Sequence, residues 1–398
     1  MPSYLNALGV ICSLGTSCET VAATLFKGDT SGMRKHSGWV TGQALTIGAV
    51  DAALPPMPAG MQHCASRNNQ LLLAAALQIE PQIRLAIERF GSHRVAVVIG
   101  TSTSGIDEAS QGIAAFEAAG ALPADYNYAQ QEIAAPAAFL SEWLGLSGPV
   151  YSISTACTSS ARALLSAHRL LSQGVCDVVL CGGADSLCGL TLNGFSALEA
   201  VTAERCNPFS NNRQGINIGE GAALFIMTRQ ANDPSSRSIA LLGGGACSDA
   251  HHISAPEPNG LGAQQAMHKA LQAAGLAASD IDYLNLHGTA TQHNDAMESL
   301  AVQAVFPEGV CSSSTKPLSG HTLGAAGALE AAFCWLTLSE HNRQQLAPPH
   351  IWDGQFDPQL PRLQFASPGY AFTTPARVAM SNSFAFGGSN VSLILGVV

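Results

Sequence analysis

The stretch Ser154-Thr155-Ala156-Cys157-Thr158-Ser159-Ser160-Ala161 stands between a strand-like segment and a helix-like segment. The residues before it, Gly148 to Ile153, predict a short strand that is entered from a Gly-Pro turn. After it, small and apolar residues recur at helical spacing from Ser160 to Leu171. This pattern places Cys157 at or just inside a helix N-terminus, where free N–H groups and the helix dipole favour an anion such as a thiolate. Cys157 is therefore a candidate nucleophile, although a cysteine taken singly is more often a small buried residue.

Two histidines lie further along the chain in turn-rich settings. His287 ends the apolar run Ile281 to Leu286 and is followed by a glycine and two threonines. His321 follows a glycine and begins a segment of small residues that predicts a helix. Each histidine alone is more often a structural hydrogen-bonding residue than a catalyst. One cysteine and two histidines, each at the end of a strand or helix, form a more restrictive combination that indicates covalent catalysis.

Strand-like and helix-like segments alternate along the chain, which indicates an α/β fold. A faint internal duplication is visible because Ala156 to Leu164 can be laid over Gly320 to Leu329. We place the junction near Arg237 to Gly245, after Pro234-Ser235-Ser236, which gives an N-terminal half, 1–240, and a C-terminal half, 241–398. The predicted strands are Arg94–Gly100, Asp177–Gly182, Ala222–Met227, Ile281–Leu286 and Val391–Gly396, and the predicted helices include Asn69–Phe90, Ser159–Gln173 and Gly262–Ala274.

Composition narrows the class of protein further. The chain has 398 residues, 47% of them hydrophobic and 12% charged, so it can bury a large core. A net charge of −10 with no run of Lys or Arg argues against nucleic-acid binding. No apolar stretch approaches the ~20 residues of a membrane helix, and residues 1–4 carry no basic signal-peptide region. The eleven cysteines show no paired or metal-ligand spacing, which predicts a cytoplasmic protein with free thiols and no metal site.

Six blocks, in order and at matching spacing, resemble segments of the β-ketoacyl-acyl-carrier-protein synthases of the type I/II group. These are the condensing enzymes of fatty acid and polyketide assembly. The resemblance covers nearly the whole chain and implies a thiolase-like fold, in which two similar halves pack as five layers, αβαβα. It also implies a dimer whose sheet continues across the interface. The matching blocks are Thr155–Ser160, Gly219–Ala223, Ser248–His252, His287–Thr291, Lys316–Glu330 and Asn382–Asn390.

The family pattern implies a role for each matching residue. Cys157 would carry the acyl group, while His287 and His321 would stabilise the enolate of malonyl-acyl-carrier protein through neutral Nε2–H groups. No metal or cofactor is implied beyond the phosphopantetheine that carries the substrates. The remaining assignments are Lys316 for fixing the site together with Glu298, the N–H groups of Cys157 and Phe386 for the oxyanion hole, Phe386 for the acyl gate, Thr289 and Thr291 for pantetheine, and Asp295, Glu298, Glu330, Gly387 and Gly388 for structural support.

An acyl carrier protein is the partner that the resemblance implies. Carrier proteins of this kind are acidic, so docking on this acidic chain requires a local basic patch. Arg67, Arg205 and Arg213 are candidates, with an ordinary solvated charge as the equally weighted alternative for each. A homodimer and a heterodimer with a related ketosynthase or chain-length factor both stay open.

Departures from the family pattern indicate a specialised pathway. The segment Cys206–Gly219 has amides where many relatives carry charges, and Gln292-His293-Asn294 is unusual after the first histidine. Ala385 replaces a common glycine beside Phe386 and restricts the backbone there. Taken together, these features resemble the ketosynthases of bacterial aryl polyene pathways.

Three other functions compete with a condensing enzyme. A degradative thiolase needs a second catalytic cysteine in its C-terminal glycine loop, and Phe384–Asn390 contains none. An acetyl-CoA-primed initiating synthase uses Cys, His and Asn, whereas Lys316 and His321 favour the group with two histidines. The alternative from a different class is a noncatalytic chain-length factor, which shapes the pocket of a sister subunit and usually lacks the nucleophile.

Overall fold

The computed structural model describes residues 2–231 and 237–398. The strands in these ranges are β1 (Ser3–Cys12), β2 (Met33–Val40), β3 (Gln43–Gly48), β4 (Val95–Gly100), β5 (Val150–Ile153), β6 (Val178–Asp185), β7 (Gly221–Thr228), β8 (Ile239–Ser248), β9 (Tyr283–Asn285), β10 (Cys311–Ser313), β11 (Gln364–Phe365), β12 (Val378–Phe384) and β13 (Ser389–Val397). The helices are α1 (Cys18–Lys27), α2 (Arg67–Gln78), α3 (Glu80–Phe90), α4 (Ile106–Ala119), α5 (Ala135–Leu144), α6 (Ser159–Ser172), α7 (Gly189–Ala197), α8 (Leu261–Ala274), α9 (Gln292–Val305), α10 (Lys316–Ser319) and α11 (Ala326–Leu338).

Two halves of the sheet repeat one topology. The strand order is β11-β10-β9-β12-β13-β8-β1-β7-β6-β4-β5, and the halves meet where β1 pairs with β8. In the first half, β5, β4 and β6 are parallel, while β7 and β1 follow antiparallel. In the second half, β10, β9 and β12 are parallel, while β13 and β8 follow antiparallel. The pairing thus supports the internal duplication that the sequence indicates.

Helices cover and separate the two half-sheets. The helices α2 and α5 pack on the outer face of the first half, and α8 and α9 lie outside the second. Between the half-sheets, α6 packs against α11, whose residues are almost all buried. A Cβ at Gly327 would lie 2.8 Å from the backbone nitrogen of Ala161, so glycine permits the close approach of these helices. The arrangement has five layers, αβαβα, as predicted.

Most predicted elements occur within a few residues of their expected bounds, but the single helix predicted for Asn69–Phe90 is wrong. The structure has α2 and α3, with a break at Ile79, whose φ of −121° is not helical. Pro81 is the physical reason, since it lacks the backbone N–H that a continuous helix would bond to the Leu77 carbonyl, and its ring would clash with that carbonyl. Proline is tolerated in the first turn of a new helix, which is where Pro81 lies in α3.

The predicted junction between the halves falls partly outside the described residues, because Pro234–Ser236 are not among them. The boundary between 240 and 241 lies within β8, which begins at Ile239. Within 2–231 and 237–398, no helix is long and apolar enough to cross a membrane.

Candidate active site

Cys157 lies in the tight connection between β5 and α6. Thr158 is the N-cap and Ser159 the first helical residue, so Cys157 precedes the helix rather than lying inside it. Ala156 has a φ of +52°, a left-handed conformation that non-glycine residues adopt rarely. This turn is held by the Ser159 hydroxyl, which donates to the Ala156 carbonyl and accepts from the Thr155 N–H. The strained turn places Cys157 in the lining of a cavity.

The two predicted histidines converge on that thiol. His321 Nε2 lies 3.0 Å from Cys157 Sγ, and the rings of His287 and His321 meet edge to face with centroids 5.3 Å apart. All three side chains are buried. They line a cavity of about 620 Å³, together with Thr289 and Thr291, whose hydroxyls are 2.9 Å apart. The cavity has room for a ligand the size of an acyl chain on a pantetheine arm.

Lys316 stands behind the histidines as a buried cation. Its ammonium donates to the His287 carbonyl and, at 2.5 Å, to Glu330 Oε1. The ion-pair partner of Lys316 is thus Glu330 of α11, while Glu298 interacts with the ammonium through its charge alone, which lowers the pKa of this carboxyl against the larger effect of burial. The ammonium also lies 3.5 Å from His287 Nδ1. Because an ammonium can only donate, this contact assigns Nδ1 of His287 as the acceptor and leaves the ring proton on Nε2.

Two buried carboxylates shape the turn that follows His287. Glu298 accepts the backbone N–H groups of His287 and Gly288 at 2.8 and 2.7 Å. Asp295 accepts those of Thr289 and Ala290, and also the N–H of Phe209. Both carboxylates project from α9, so this helix determines the direction of the His287 side chain and of the threonine hydroxyls.

Burial determines the protonation states in the site. It raises the pKa of the Cys157 thiol to about 12, although Lys316 opposes the shift. This is opposite to the depressed pKa that the predicted helix-end position suggests, because desolvation of the thiolate outweighs the electrostatic effects. Burial, with Lys316 as the second cause, also holds the pKa values of His287 and His321 well below their usual range. Both imidazoles are therefore neutral at physiological pH.

The glycine-rich C-terminal loop forms one wall of the cavity. Phe386 is 37% exposed, and its ring contacts that of Phe195 at a centroid distance of 5.7 Å. Gly387 and Gly388 both have φ near +81°, which explains glycine at these positions. Both glycines hydrogen-bond to the Ser248–His252 block or to the residue that follows it. The Gly388 carbonyl accepts the Asp249 N–H, and the Gly387 N–H donates to the Ile253 carbonyl. The two blocks therefore belong to one structural unit.

Two of the three docking candidates are held in ion pairs. Arg67 binds the fully buried Glu220 through Nε and a terminal nitrogen, at 2.7 and 2.5 Å. Arg213 is buried and pairs with Asp357. Only Arg205 among the three is exposed. The prediction of Arg213 as a surface charge is wrong, because it is buried against Asp357. The Arg67 side chain is half-buried, and its guanidinium is held by Glu220.

Asp185 is a site residue that sequence reasoning missed. It is fully buried at the end of β6, and its Oδ1 accepts the hydroxyls and N–H groups of the loop Thr101–Thr103. Its Oδ2 accepts the N–H of Gly324, three residues after His321, at 2.5 Å. The sequence does contain a feature that could have identified Asp185, since it is a charged residue directly after the apolar run Val178–Ala184.

Comparison with known protein families agrees with the geometry of the site. Residues 19–232 match the model of the β-ketoacyl synthase N-terminal domain, and residues 239–351 match that of the C-terminal domain. The chain therefore belongs to the β-ketoacyl synthase family, and the predicted family, enzyme class and thiolase-like fold are confirmed.

Individual relatives agree with this assignment. The chain is 31% identical to nodulation protein E of Rhizobium meliloti (strain 1021), over 98% of this chain and 97% of that protein. It is 38% identical to 3-oxoacyl-[acyl-carrier-protein] synthase 2 of the same organism, over 63% of this chain and 61% of that protein. Among solved structures, it resembles the ketosynthase ApeO in complex with its chain length factor ApeC from Xenorhabdus doucetiae. That likeness has 44% identity and a TM-score of 0.91, and covers 100% of this chain and 98% of the other.

Proposed function

We propose that this protein extends an acyl chain by two carbons through decarboxylative condensation with malonyl-acyl-carrier protein. The observation that carries the proposal is that Cys157, His287 and His321 line one cavity and are all buried. Cys157 Sγ and His321 Nε2 are only 3.0 Å apart. A noncatalytic chain-length factor has no need of this arrangement.

The first half-reaction transfers an acyl group to Cys157. Sγ attacks the thioester carbonyl, the new C–S bond forms, and the pantetheine sulfur leaves with the proton that the thiol loses. Because the pKa of the resting thiol is about 12, the thiolate that develops needs stabilisation. The His321 Nε2–H and the positive charge of Lys316 supply it. Backbone N–H groups of Cys157 and Phe386 would hold the oxyanion.

The second half-reaction forms the new carbon–carbon bond. The malonyl thioester loses its carboxylate as CO2, and the electron pair moves into an enolate whose oxygen accepts Nε2–H bonds from His287 and His321. The enolate carbon attacks the acyl carbonyl, and Cys157 leaves as a thiolate and regains a proton. Removing one donor of this kind costs about 10²–10³ in rate. Thr289 and Thr291 would position the pantetheine arm, and this chemistry requires no metal or redox cofactor.

The partners follow from the same comparison. We propose that an acyl carrier protein delivers both substrates and that the chain pairs with a related ketosynthase or chain length factor, as ApeO does with ApeC. The edge strand β5 supports this, since it ends the sheet with four half-buried residues just before Cys157. The 44% identity to ApeO, an aryl polyene pathway ketosynthase, favours conjugated polyene chains as substrates. The eleven free cysteines fit a cytoplasmic location.

Intact-protein mass spectrometry tests the proposal. The chain, alone and co-expressed with its partner, is mixed with an acyl-carrier thioester and then with malonyl-carrier protein. We expect a mass gain of one acyl group that disappears in the second step and yields a product two carbons longer. Cys157→Ala should abolish the adduct, while the buried but remote Cys176→Ala should keep it. Absence of an adduct with short, long and polyenoyl donors, with the partner present, would refute the proposal and favour a noncatalytic subunit.

A further inference from the structure

A second group of donor side chains lies outside the active-site cavity. His63 and Cys64 project from the short 3-10 helix Gln62–Cys64, and Glu142 projects from α5. One ligand atom from each residue lies within 4.8 Å of the other two. His63 Nε2 and Glu142 Oε2 are 3.1 Å apart. None of these residues has a part in the reaction proposed above.

The donor set and the spacing fit one kind of ligand. Zinc binds imidazole nitrogen, thiolate sulfur and carboxylate oxygen at about 2.0–2.3 Å, which puts tetrahedral ligand atoms roughly 3.3–3.6 Å apart. His63 Nε2 and Glu142 Oε2, at 3.1 Å, are already close to this spacing, and one ligand atom of each of the three residues lies within 4.8 Å of the others. A thiolate and an imidazole disfavour Mg²⁺ and Ca²⁺, which prefer oxygen ligands. His63 and Glu142 are both exposed, so a cation can enter directly from solvent.

The backbone that carries the donors is already fixed. Asn127 and Gln130 donate side-chain amide hydrogens to the His63 carbonyl at 3.0 and 3.3 Å. Asn69 donates to the Cys64 carbonyl at 2.8 Å. A cation that binds here therefore orders side chains rather than a loop, which lowers the entropic cost of binding.

We propose that His63, Cys64 and Glu142 form a three-ligand binding site for Zn²⁺, with water as the fourth ligand. The ion would fasten the segment before α2 to α5. Since α5 packs on β4 and β5, and β5 leads to Cys157, zinc would stabilise the N-terminal half without entering the active site. The proposal does not depend on the condensation reaction.

The test uses Cys157→Ala, because the donor atoms of Cys157, His287 and His321 also lie within 4.8 Å of one another and could bind zinc themselves. Zinc affinity is measured by competition with a chromogenic chelator, and ligand identity by the near-ultraviolet thiolate band of bound Co²⁺. We expect one zinc per chain. Additional Cys64→Ser, His63→Ala or Glu142→Gln should each weaken binding about tenfold or more, since even residues that only support ligands cost 10–100-fold.

Cys311→Ser is the matched control, because Cys311 is a half-buried cysteine outside the three-residue group. This variant should keep both the affinity and the Co²⁺ band, whereas Cys64→Ser should lose the band. Zinc should also raise the thermal midpoint of the Cys157→Ala protein but not of its Cys64→Ser derivative. Equal zinc affinity in the three ligand variants and the control, or a Co²⁺ complex without a thiolate band, would overturn the proposal.

Discussion

The buried ion pair between Lys316 and Glu330 offers the sharpest test of how this site is held together. Both side chains are nearly inaccessible, at 2% and 4% exposure, and their charged atoms are 2.5 Å apart. Glu330→Gln keeps the shape but leaves the ammonium without a counter-charge. Lys316→Met removes the cation and leaves both the carboxylate and the His287 carbonyl without their donor. The double variant removes both charges.

The magnitudes follow from burial. Removing one partner of a buried ion pair costs about 3–5 kcal/mol, because the other charge is left uncompensated. The double variant has neither charge of the pair, but the His287 carbonyl and the amide at position 330 both lose the ammonium as partner, at roughly 1–3 kcal/mol each. Its loss of stability should therefore be well below the sum of the two single losses. The coupling energy of the double-mutant cycle should reach about 3 kcal/mol or more, at or above the upper end for contacting residues.

Urea unfolding followed by far-ultraviolet circular dichroism and tryptophan fluorescence measures these differences, at one protein concentration and with coincident transitions required. The control is Lys27→Met, which breaks the exposed pair of Lys27 with Asp29 and should leave the midpoint nearly unchanged. If the two single losses simply add in the double variant, the two charges do not stabilise each other and the reasoning is refuted.

Two further predictions concern the other buried carboxylates. Burial raises the pKa of Glu298 from 4.5 to about 7, so the folded state binds its proton more tightly and the free energy of unfolding falls as pH rises between these values. Glu298→Gln should lack this decline, so between pH 4.5 and 8 the wild type should lose about 3 kcal/mol of unfolding free energy relative to the variant. Urea unfolding midpoints of both proteins at the two pH values measure this difference. Parallel pH curves for the two proteins would contradict the prediction. Asp185→Asn keeps Oδ1 but sets an NH2 group against the Gly324 N–H, and should cost about 2–4 kcal/mol. Asp177→Asn, at a partly exposed carboxylate, should cost less, and equal losses would argue against a special role for Asp185.

The sequence predicted the residues that react better than the residues that hold the surrounding structure in place. Cys157 and His321 are 164 residues apart, yet both stand at the end of a strand or helix inside a recognisable block, so their convergence was predictable. The ion pair of Arg67 with Glu220 joins residues 153 positions apart with no periodic pattern to link them. Local patterns therefore did not predict that Glu220 holds the Arg67 guanidinium. Pairings of this kind depend on how two separate layers pack, which local patterns do not encode.

Electrostatics was the least predictable property of the site. The position of Cys157 before a helix suggests a stabilised thiolate, but the sign of its pKa shift depends on how deeply the layers bury it. The break at Ile79 could have been predicted, because Pro81 is visible in the sequence and its effect on the preceding helical turn is local.

A single buried cation acts on three groups in the direction that the proposed reaction requires. Burial lowers the pKa of His287 and His321 most, and the charge of Lys316 lowers it further, so both imidazoles stay neutral and their Nε2–H groups remain available as donors. The same charge lowers the pKa of Cys157, against the larger effect of burial. A neutral residue at 316 would therefore weaken the nucleophile and also make protonation of the histidines easier. The negative charge of Glu330 raises the pKa of Cys157 and so opposes Lys316. The distance between this carboxylate and the thiol therefore determines how far Lys316 can lower the pKa of the nucleophile. By this argument, Lys316 belongs to the chemistry of the site as well as to its stability.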